Sequence, residues 1–274
     1  MEIYLDGRWL PPEEACIPAD DRGLAFSEGL FETFRVRRGR PCLLAEHLGR
    51  FRASCLFLGI PFPKADLGAV AVEGARRHGL DDASARVTLT AGAGGDLAGP
   101  GPRPGALIVQ IRPAIGPGGG IRLRIPSHRQ SATSVLMRHK TLRYLERVLA
   151  VREAKAAGDD EAVFLNDLGE VAEGTTSSLF WVKGGVLHTP SLDCNILPGV
   201  TRAVVLRAAR GLGIPVREVR AGRRALDEAD EAFLTSATRG VAPAVSVDGR
   251  NIGSGQAGPL TLRLSPEVAR LEEA

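Results

Sequence analysis

Apolar and polar residues alternate loosely along 2–10, and again along 30–36 and 41–44, with Arg37-Arg38-Gly39-Arg40 as a turn between the last two. This period of two predicts an antiparallel sheet. Leu48, Phe51, Cys55 and Leu58 then recur at helical spacing, and Gly59-Ile60-Pro61 stops that helix, which places it at 46–58. A second helix is predicted at 65–78, followed by strands at 85–90 and 106–112. The loop between these strands, 91–105, is too rich in glycine for a helix and long enough to be functional. The first part of the chain therefore reads as β-rich, with helices on one side.

Residues 116–120, Gly-Pro-Gly-Gly-Gly, are the sharpest break in the pattern. They predict a linker between a small N-terminal α/β domain, 1–115, and a larger C-terminal domain, 121–274. Beyond the linker the pattern gives a strand at 121–125, a helix at 141–157 whose apolar face is Leu142, Leu145, Val148 and Leu149, and strands at 161–165 and 170–173. A hairpin follows at 178–182 and 186–189 around Lys183-Gly184-Gly185. A helix at 200–212 ends at Gly213, and strands are predicted at 216–219, 231–235 and 244–247. No internal repeat is present.

Composition narrows the class. With 274 residues, 44% apolar and 24% charged, the chain is not disordered, collagenous or coiled-coil. Its longest apolar runs fall short of the roughly 18 residues of a membrane span, and 1–22 carries acids and paired prolines where a signal peptide has an apolar core, so a soluble cytoplasmic protein with no membrane partner is expected. Cysteines 16, 42, 55 and 194 form no C-x-x-C and no short Cys/His spacing, so reduced thiols and no metal site are expected. Of the 35 basic residues 31 are arginines, scattered among acids without interleaved aromatics, which argues against a nucleic-acid partner. Only Lys64, Lys140, Lys155 and Lys183 can supply an amine.

Lys140 stands just before the predicted 141–157 helix. The positive end of that helix, together with Arg138 and His139, would favour a neutral amine able to form a Schiff base, although a plain surface lysine fits the same position. Glu173, at a strand end before Gly174-Thr175-Thr176-Ser177-Ser178, suits a carboxylate that pairs with a protonated ring nitrogen, or a solvated turn. Leu197-Pro198-Gly199-Val200-Thr201-Arg202 opens a helix with free N–H groups and a hydroxyl, a phosphate-binding arrangement that is also an ordinary cap. Arg50 is a candidate phosphate partner.

In order, E-H-L-G-R-F, H-K-T-L-R-Y-L-E, V-A-E-G-T-T-S-S-L-F, L-P-G-V-T-R and F-L-T-S-A-T-R-G-V-A-P resemble the fold-type IV pyridoxal-phosphate enzymes, the class IV aminotransferases that include branched-chain and D-amino acid aminotransferases and aminodeoxychorismate lyase. The resemblance spans about 20–247. It implies a two-domain α/β fold, D-amino acid aminotransferase-like, with pyridoxal 5'-phosphate in the interdomain cleft of a homodimer. Lys140 matches the lysine that holds the cofactor and carries the proton, and Glu173 the glutamate on its ring nitrogen. Arg50, Val200 and Thr201 match phosphate-binding positions, and Ser236 with Ala237 the second phosphate loop, where aminotransferases usually have a threonine in place of Ala237. Thr238, or backbone N–H groups, would then substitute. Tyr144 is similar to the tyrosine at the ring oxygen, one residue closer to the lysine than in branched-chain aminotransferase.

The resemblance implies transfer of an amino group between a small amino acid or amine and a 2-oxo acid, with aminodeoxychorismate lyase, releasing pyruvate and 4-aminobenzoate, as the alternative. Phe31 and Thr33 match substrate-side positions, and Thr33 and Thr238-Arg239-Gly240-Val241 with Pro243 look lyase-like. Asp96 is the departure: the lyase has an arginine there for the substrate carboxylate. If the loop faces the substrate, an acid there favours a cationic group and leaves carboxylate binding to Arg103, Arg35 or Arg239; otherwise Asp96 caps a turn.

Overall fold

The computed structural model describes residues 1–94, 97, 105–116 and 118–273; Asp96 and Arg103 lie outside them. The chain divides into two compact units, Met1–Ile115 with His139–Arg143, and Gly116–Arg138 with Tyr144–Ala274. No helix among the described residues is long and apolar enough to cross a membrane.

The first unit runs β1 (Ile3–Leu5), β2 (Arg8–Leu10), α1 (Arg22–Phe26), β3 (Gly29–Arg37), β4 (Arg40–Pro41), α2 (Leu44–Leu58), α3 (Leu67–Arg77), β5 (Asp82–Thr90) and β6 (Leu107–Pro113). Asp6 and Gly7 both take positive φ in the β1–β2 turn, the geometry an Asp-Gly hairpin supplies at least cost. The strands form one antiparallel sheet in the order β2-β1-β6-β5-β3-β4. Because successive residues of a strand face opposite ways, β3 turns Leu30, Phe34 and Val36 toward Phe51, Val87 and Val109 in the core. Phe31, Thr33 and Arg35 take the other face.

The start of β3 acquires its second neighbour from far along the chain. Phe31 N–H donates to the Lys140 carbonyl at 2.9 Å and Leu142 N–H to the Gly29 carbonyl at 3.0 Å, with Leu30 bridged to Thr141. Gly29 permits this approach, because a Cβ there would stand 2.6 Å from Leu142 Cδ1 and 2.7 Å from the Leu89 carbonyl oxygen.

The second unit contains β7 (Ile121–Arg124), α4 (Leu145–Ala156), β8 (Glu161–Leu165), β9 (Val171–Gly174), β10 (Ser178–Lys183), β11 (Val186–Pro190), α5 (Val200–Gly211), β12 (Val216–Val219), α6 (Arg224–Asp227), β13 (Glu231–Ser236), β14 (Gly240–Val247), β15 (Arg250–Asn251) and α7 (Pro259–Glu272). Its sheet follows β12-β11-β10-β13-β14-β7-β8-β9, with β15 on β14, and is mixed: β11–β12, β14–β7 and β7–β8 are parallel. Leu179, Trp181 and Leu234 fill one core, while Phe180 and Phe233 stack at 5.1 Å on the opposite face of β10 and β13. Burial of both faces explains why these strands read as nearly continuous apolar runs. Glu231 joins the sheet to α7, its carboxylate accepting from the N–H groups of Leu260 and Thr261 and the Thr261 hydroxyl. Glu231→Ala is expected to lower stability by about 1–3 kcal/mol, read from the urea midpoint.

Two expectations are corrected here. The helix predicted at 141–157 begins at Leu145, since Lys140 and Thr141 are extended along β3. Its predicted apolar face is also wrong: Leu145, Val148 and Leu149 are 67%, 40% and 47% exposed, whereas Ala150 and Ala154 are buried against Phe164, Ala172 and Ile196. Small side chains let α4 lie close on β8, so the largest apolar residues did not mark the packed face. α7 was not anticipated, and Pro266 within it is the residue that disguises it.

Candidate active site

In the first unit, Lys140 is placed by its backbone. The pairing with β3 sets its Nζ 4.6 Å from the centre of the Phe31 ring, and the Arg86 guanidinium lies 3.7 Å from the same ring. Neighbouring His139 stacks on Phe57 at 4.0 Å and meets Ser54 Oγ through Nδ1 at 3.0 Å, and burial moves its pKa down. Of the positive neighbours expected from sequence, His139 is biased toward neutrality by burial, and α4 begins five residues further along the chain than Lys140.

Beneath Phe31, Glu32 turns into the core, where α2 presents His47 and Arg50 one turn apart. His47 Nδ1 is 2.9 Å from Glu32 Oε2, and Arg50 donates from Nε at 2.7 Å and from Nη2 at 2.8 Å, one bond to each oxygen. Burial opposes the Glu32 charge, but the hydrogen bonds from His47 and Arg50 outweigh it and bring the carboxyl down to about 2. Burial moves the His47 pKa down, and against an ionised carboxylate the ring Nδ1 is the side that donates.

In the second unit, Glu173 ends β9, buried. Its Oε2 accepts from the Leu197 N–H at 3.1 Å and its Oε1 from Arg147 Nη2 at 2.6 Å. Two residues beyond Leu197 comes Gly199, the N-cap of α5, which has no side-chain cap; a Cβ at Gly199 would stand 2.6 Å from Ser178 Oγ. Val200 and Thr201 form the first turn, whose N–H groups have no intrahelical acceptor. Thr201 Oγ1 is buried there without a hydrogen-bond partner. A helix N-terminus with an unpartnered buried hydroxyl fits an anion such as a phosphate.

Between β13 and β14, Ser236 Oγ lies 3.4 Å from Thr238 Oγ1 and accepts from the Arg239 N–H at 3.4 Å, with Ala237 between them; Thr235 Oγ1 is also buried and unpartnered. Tyr144 is the N-cap residue of α4, its ring 5.3 Å from the Arg147 guanidinium. Burial pushes the Cys55 and Cys194 thiols up to about 11, which removes them as nucleophiles at neutral pH.

The model of the family described as Amino-transferase class IV matches residues 29–247, most of the chain. The chain belongs to that family. This class IV chain is 37% identical to a Methanocaldococcus jannaschii protein named provisionally as a branched-chain-amino-acid aminotransferase, over 96% of this chain and 94% of that one. It is 32% identical to aminodeoxychorismate lyase of Bacillus subtilis, over 96% and 92%. Among solved structures, a branched-chain amino acid aminotransferase of T.th. with pyridoxamine 5'-phosphate superposes with a TM-score of 0.90 at 33% identity, covering 99% of this chain and 94% of that one. The α/β fold of this class IV chain is therefore that of the family.

Within the class IV chain, the structure joins Glu173 to the start of α5, and Phe31 to Lys140. It joins Arg50 to Glu32, a partner the sequence did not suggest. Sequence reasoning also missed His47 and Arg147. Arg147 did leave a signal: an arginine in the first turn of a helix opposes the macrodipole and needs a compensating acid.

Proposed function

We propose that this chain is a pyridoxal 5'-phosphate-dependent aminotransferase that moves an amino group between a small amino acid or amine and a 2-oxo acid. One observation carries the reading: the buried Glu173 carboxylate is hydrogen-bonded to Leu197, two residues from an α5 N-terminus that holds an unpartnered Thr201 hydroxyl. A partner for a ring nitrogen and a cradle for a phosphate are thus tied by a few bonds. Bound cofactor supplies an electron sink for the carbanion formed at the substrate carbon.

The chain's own residues supply the rest. Lys140 provides the amine that holds the cofactor and carries the proton to and from the substrate carbon. Glu173 accepts from the ring nitrogen. Val200 and Thr201 hold phosphate through N–H groups and the hydroxyl, with Arg50, Ser236, Ala237 and Thr238 as further phosphate contacts and Tyr144 at the ring oxygen. Phe31 and Thr33 lie on the substrate side. The working form is a cytoplasmic homodimer, a reading supported by the four unbridged cysteines and the exposed Leu145, Val148 and Leu149. The relative in Bacillus subtilis, together with Thr33 and 238–243, favours aminodeoxychorismate lyase as a second reading.

The test is the visible spectrum of the cofactor-loaded protein with D-alanine, D-glutamate, branched-chain L-amino acids, an (R)-arylamine and aminodeoxychorismate in separate cuvettes. Conversion to pyridoxamine phosphate, reversed by a 2-oxo acid, identifies a transaminase and its donor. Pyruvate release from aminodeoxychorismate without an oxo acid identifies the lyase instead. Thr201→Val tests the cradle separately. The substitution removes an unpartnered buried hydroxyl, so the cofactor-free protein is expected to be as stable or slightly more stable. Its dissociation constant for pyridoxal phosphate is expected to rise about 10-fold or more by equilibrium titration; unchanged affinity would remove Thr201 from the site.

A further inference from the structure

Arg147 is a polar group of the second unit to which nothing above gives a task. It sits in the first turn of α4, where the helix macrodipole repels a cation, and its side chain is only 14% exposed, so its charge is largely withdrawn from water. Both costs require a compensating partner. The structure shows three acceptors on one guanidinium. Nη2 donates to Glu173 Oε1 at 2.6 Å, while Nη1 donates to the carbonyls of Gly174 and Thr175, each at 3.0 Å. The rings of Tyr144 and Phe164 lie 5.3 and 5.9 Å from the same group.

A single planar fork therefore holds the Glu173 carboxylate and the two backbone carbonyls that follow it. The other carboxylate oxygen is held by Leu197 N–H at 3.1 Å. With one donor on each oxygen the carboxylate cannot rotate without breaking a bond, and each oxygen still has a lone pair to offer. A lysine at 147 would bring the charge but not the fixed fork that meets side-chain and main-chain acceptors together.

We propose that Arg147 is a positioning residue for Glu173, fixing the orientation of its carboxylate and supplying its countercharge so that Glu173 meets the cofactor only as an acceptor. The proposal rests on the reading that Glu173 faces the ring nitrogen. An ionised carboxylate has no proton to donate, so a ring nitrogen hydrogen-bonded to it must bring its own, and the protonated ring withdraws electrons more strongly than the neutral one. Arg147 thereby acts on the electron sink without touching it. Burial opposes the charge of the Arg147 guanidinium, but the charge and hydrogen bond of Glu173, with the charges of Tyr144 and Glu146, together move it up from its ordinary value.

The test uses the cofactor as its own reporter. Wild type, Arg147→Met, Arg147→Lys and Glu173→Gln are loaded with pyridoxal phosphate carrying nitrogen-15 in the ring, and the ring-nitrogen resonance is read in the resting protein at neutral pH. Wild type is expected at the protonated position and E173Q at the unprotonated one. R147M is expected to move from the first toward the second, and R147K, which keeps the charge, to return most of the way. In turnover R147M is expected to lose about 10–100-fold in kcat with KM little changed, a loss of the size seen when the partner that orients a metal-site carboxylate is removed.

A wild-type resonance position in folded R147M, with E173Q displaced, would overturn the role of Arg147 and leave the proposed function standing. E173Q indistinguishable from wild type would remove Glu173 from the ring nitrogen, and this proposal with it. Should R147M not fold, Arg147→Gln keeps amide donors and much of the length while losing the charge, and its resonance is judged by the same two outcomes.

Discussion

Lys140→Ala is expected to lower kcat by at least about 10⁴-fold, the upper end of what one positioned proton carrier contributes, and to abolish the visible band that forms when pyridoxal phosphate is added. Lys155 and Lys183 are engaged with Asp160 and Asp230 in the second unit, and Lys64 is exposed in the first. The melting temperature should change little, because the backbone at residue 140 is held by its carbonyl and by the flanking Leu142 N–H, which the substitution keeps. Lys140→Arg separates charge from chemistry: it keeps a cation beside Phe31 and should be as inactive as the alanine variant. Substantial activity in either would sink the assignment.

Glu32→Gln is expected to destabilise the protein by on the order of 3 kcal/mol at pH 7, an effect that disappears in acid. The Glu32 carboxyl falls from an ordinary 4.5 to about 2 in the folded protein. A group whose folded value is depressed contributes stability above its unfolded value, and that contribution is lost as pH falls through 4.5 toward 2. His47 works in the same direction at higher pH. Its folded value lies below the ordinary 6.5, so stability also declines as pH drops beneath that value and the unfolded chain takes up the proton first. Urea midpoints at pH 7, 5 and 3 check both: wild type should lose stability steeply and E32Q less so below pH 4.5. Parallel profiles would show that Glu32 is not held ionised by Arg50 and His47.

The sequence made the strands and helices legible wherever one face alone is buried. The 30–36 alternation became β3, and the 200–212 period became α5 with its first residue unchanged. Failures share a physical cause, which is that hydrophobicity does not say what an element packs against. Ala150 and Ala154 pack while Leu145 and Leu149 do not, and Thr141 looks like a helix start until Leu30 is seen beside it. The candidate site was legible as motifs, since Lys140, Glu173 and the start of α5 occur in recognisable order. Its supporting contacts were not. Pairing Glu32 with Arg50, or Arg147 with Glu173, requires knowing that residues 18 and 26 positions apart meet, and no local pattern carries that information.

The late pairing of His139–Arg143 with β3 bears on how the chain is made. A ribosome that has released only the first 115 residues has produced all six strands of the first sheet, yet the beginning of β3 still lacks its outer neighbour. Its unpaired N–H and C=O groups remain a template for any other extended chain until residue 143 has emerged. The nascent protein thus passes through an interval in which its first unit is sticky, and the segment that closes the interval is the one that delivers Lys140. Synthesis slowed between 116 and 143 should therefore raise aggregation, and a fragment of 1–115 supplied with a 139–143 peptide should aggregate less than the fragment alone.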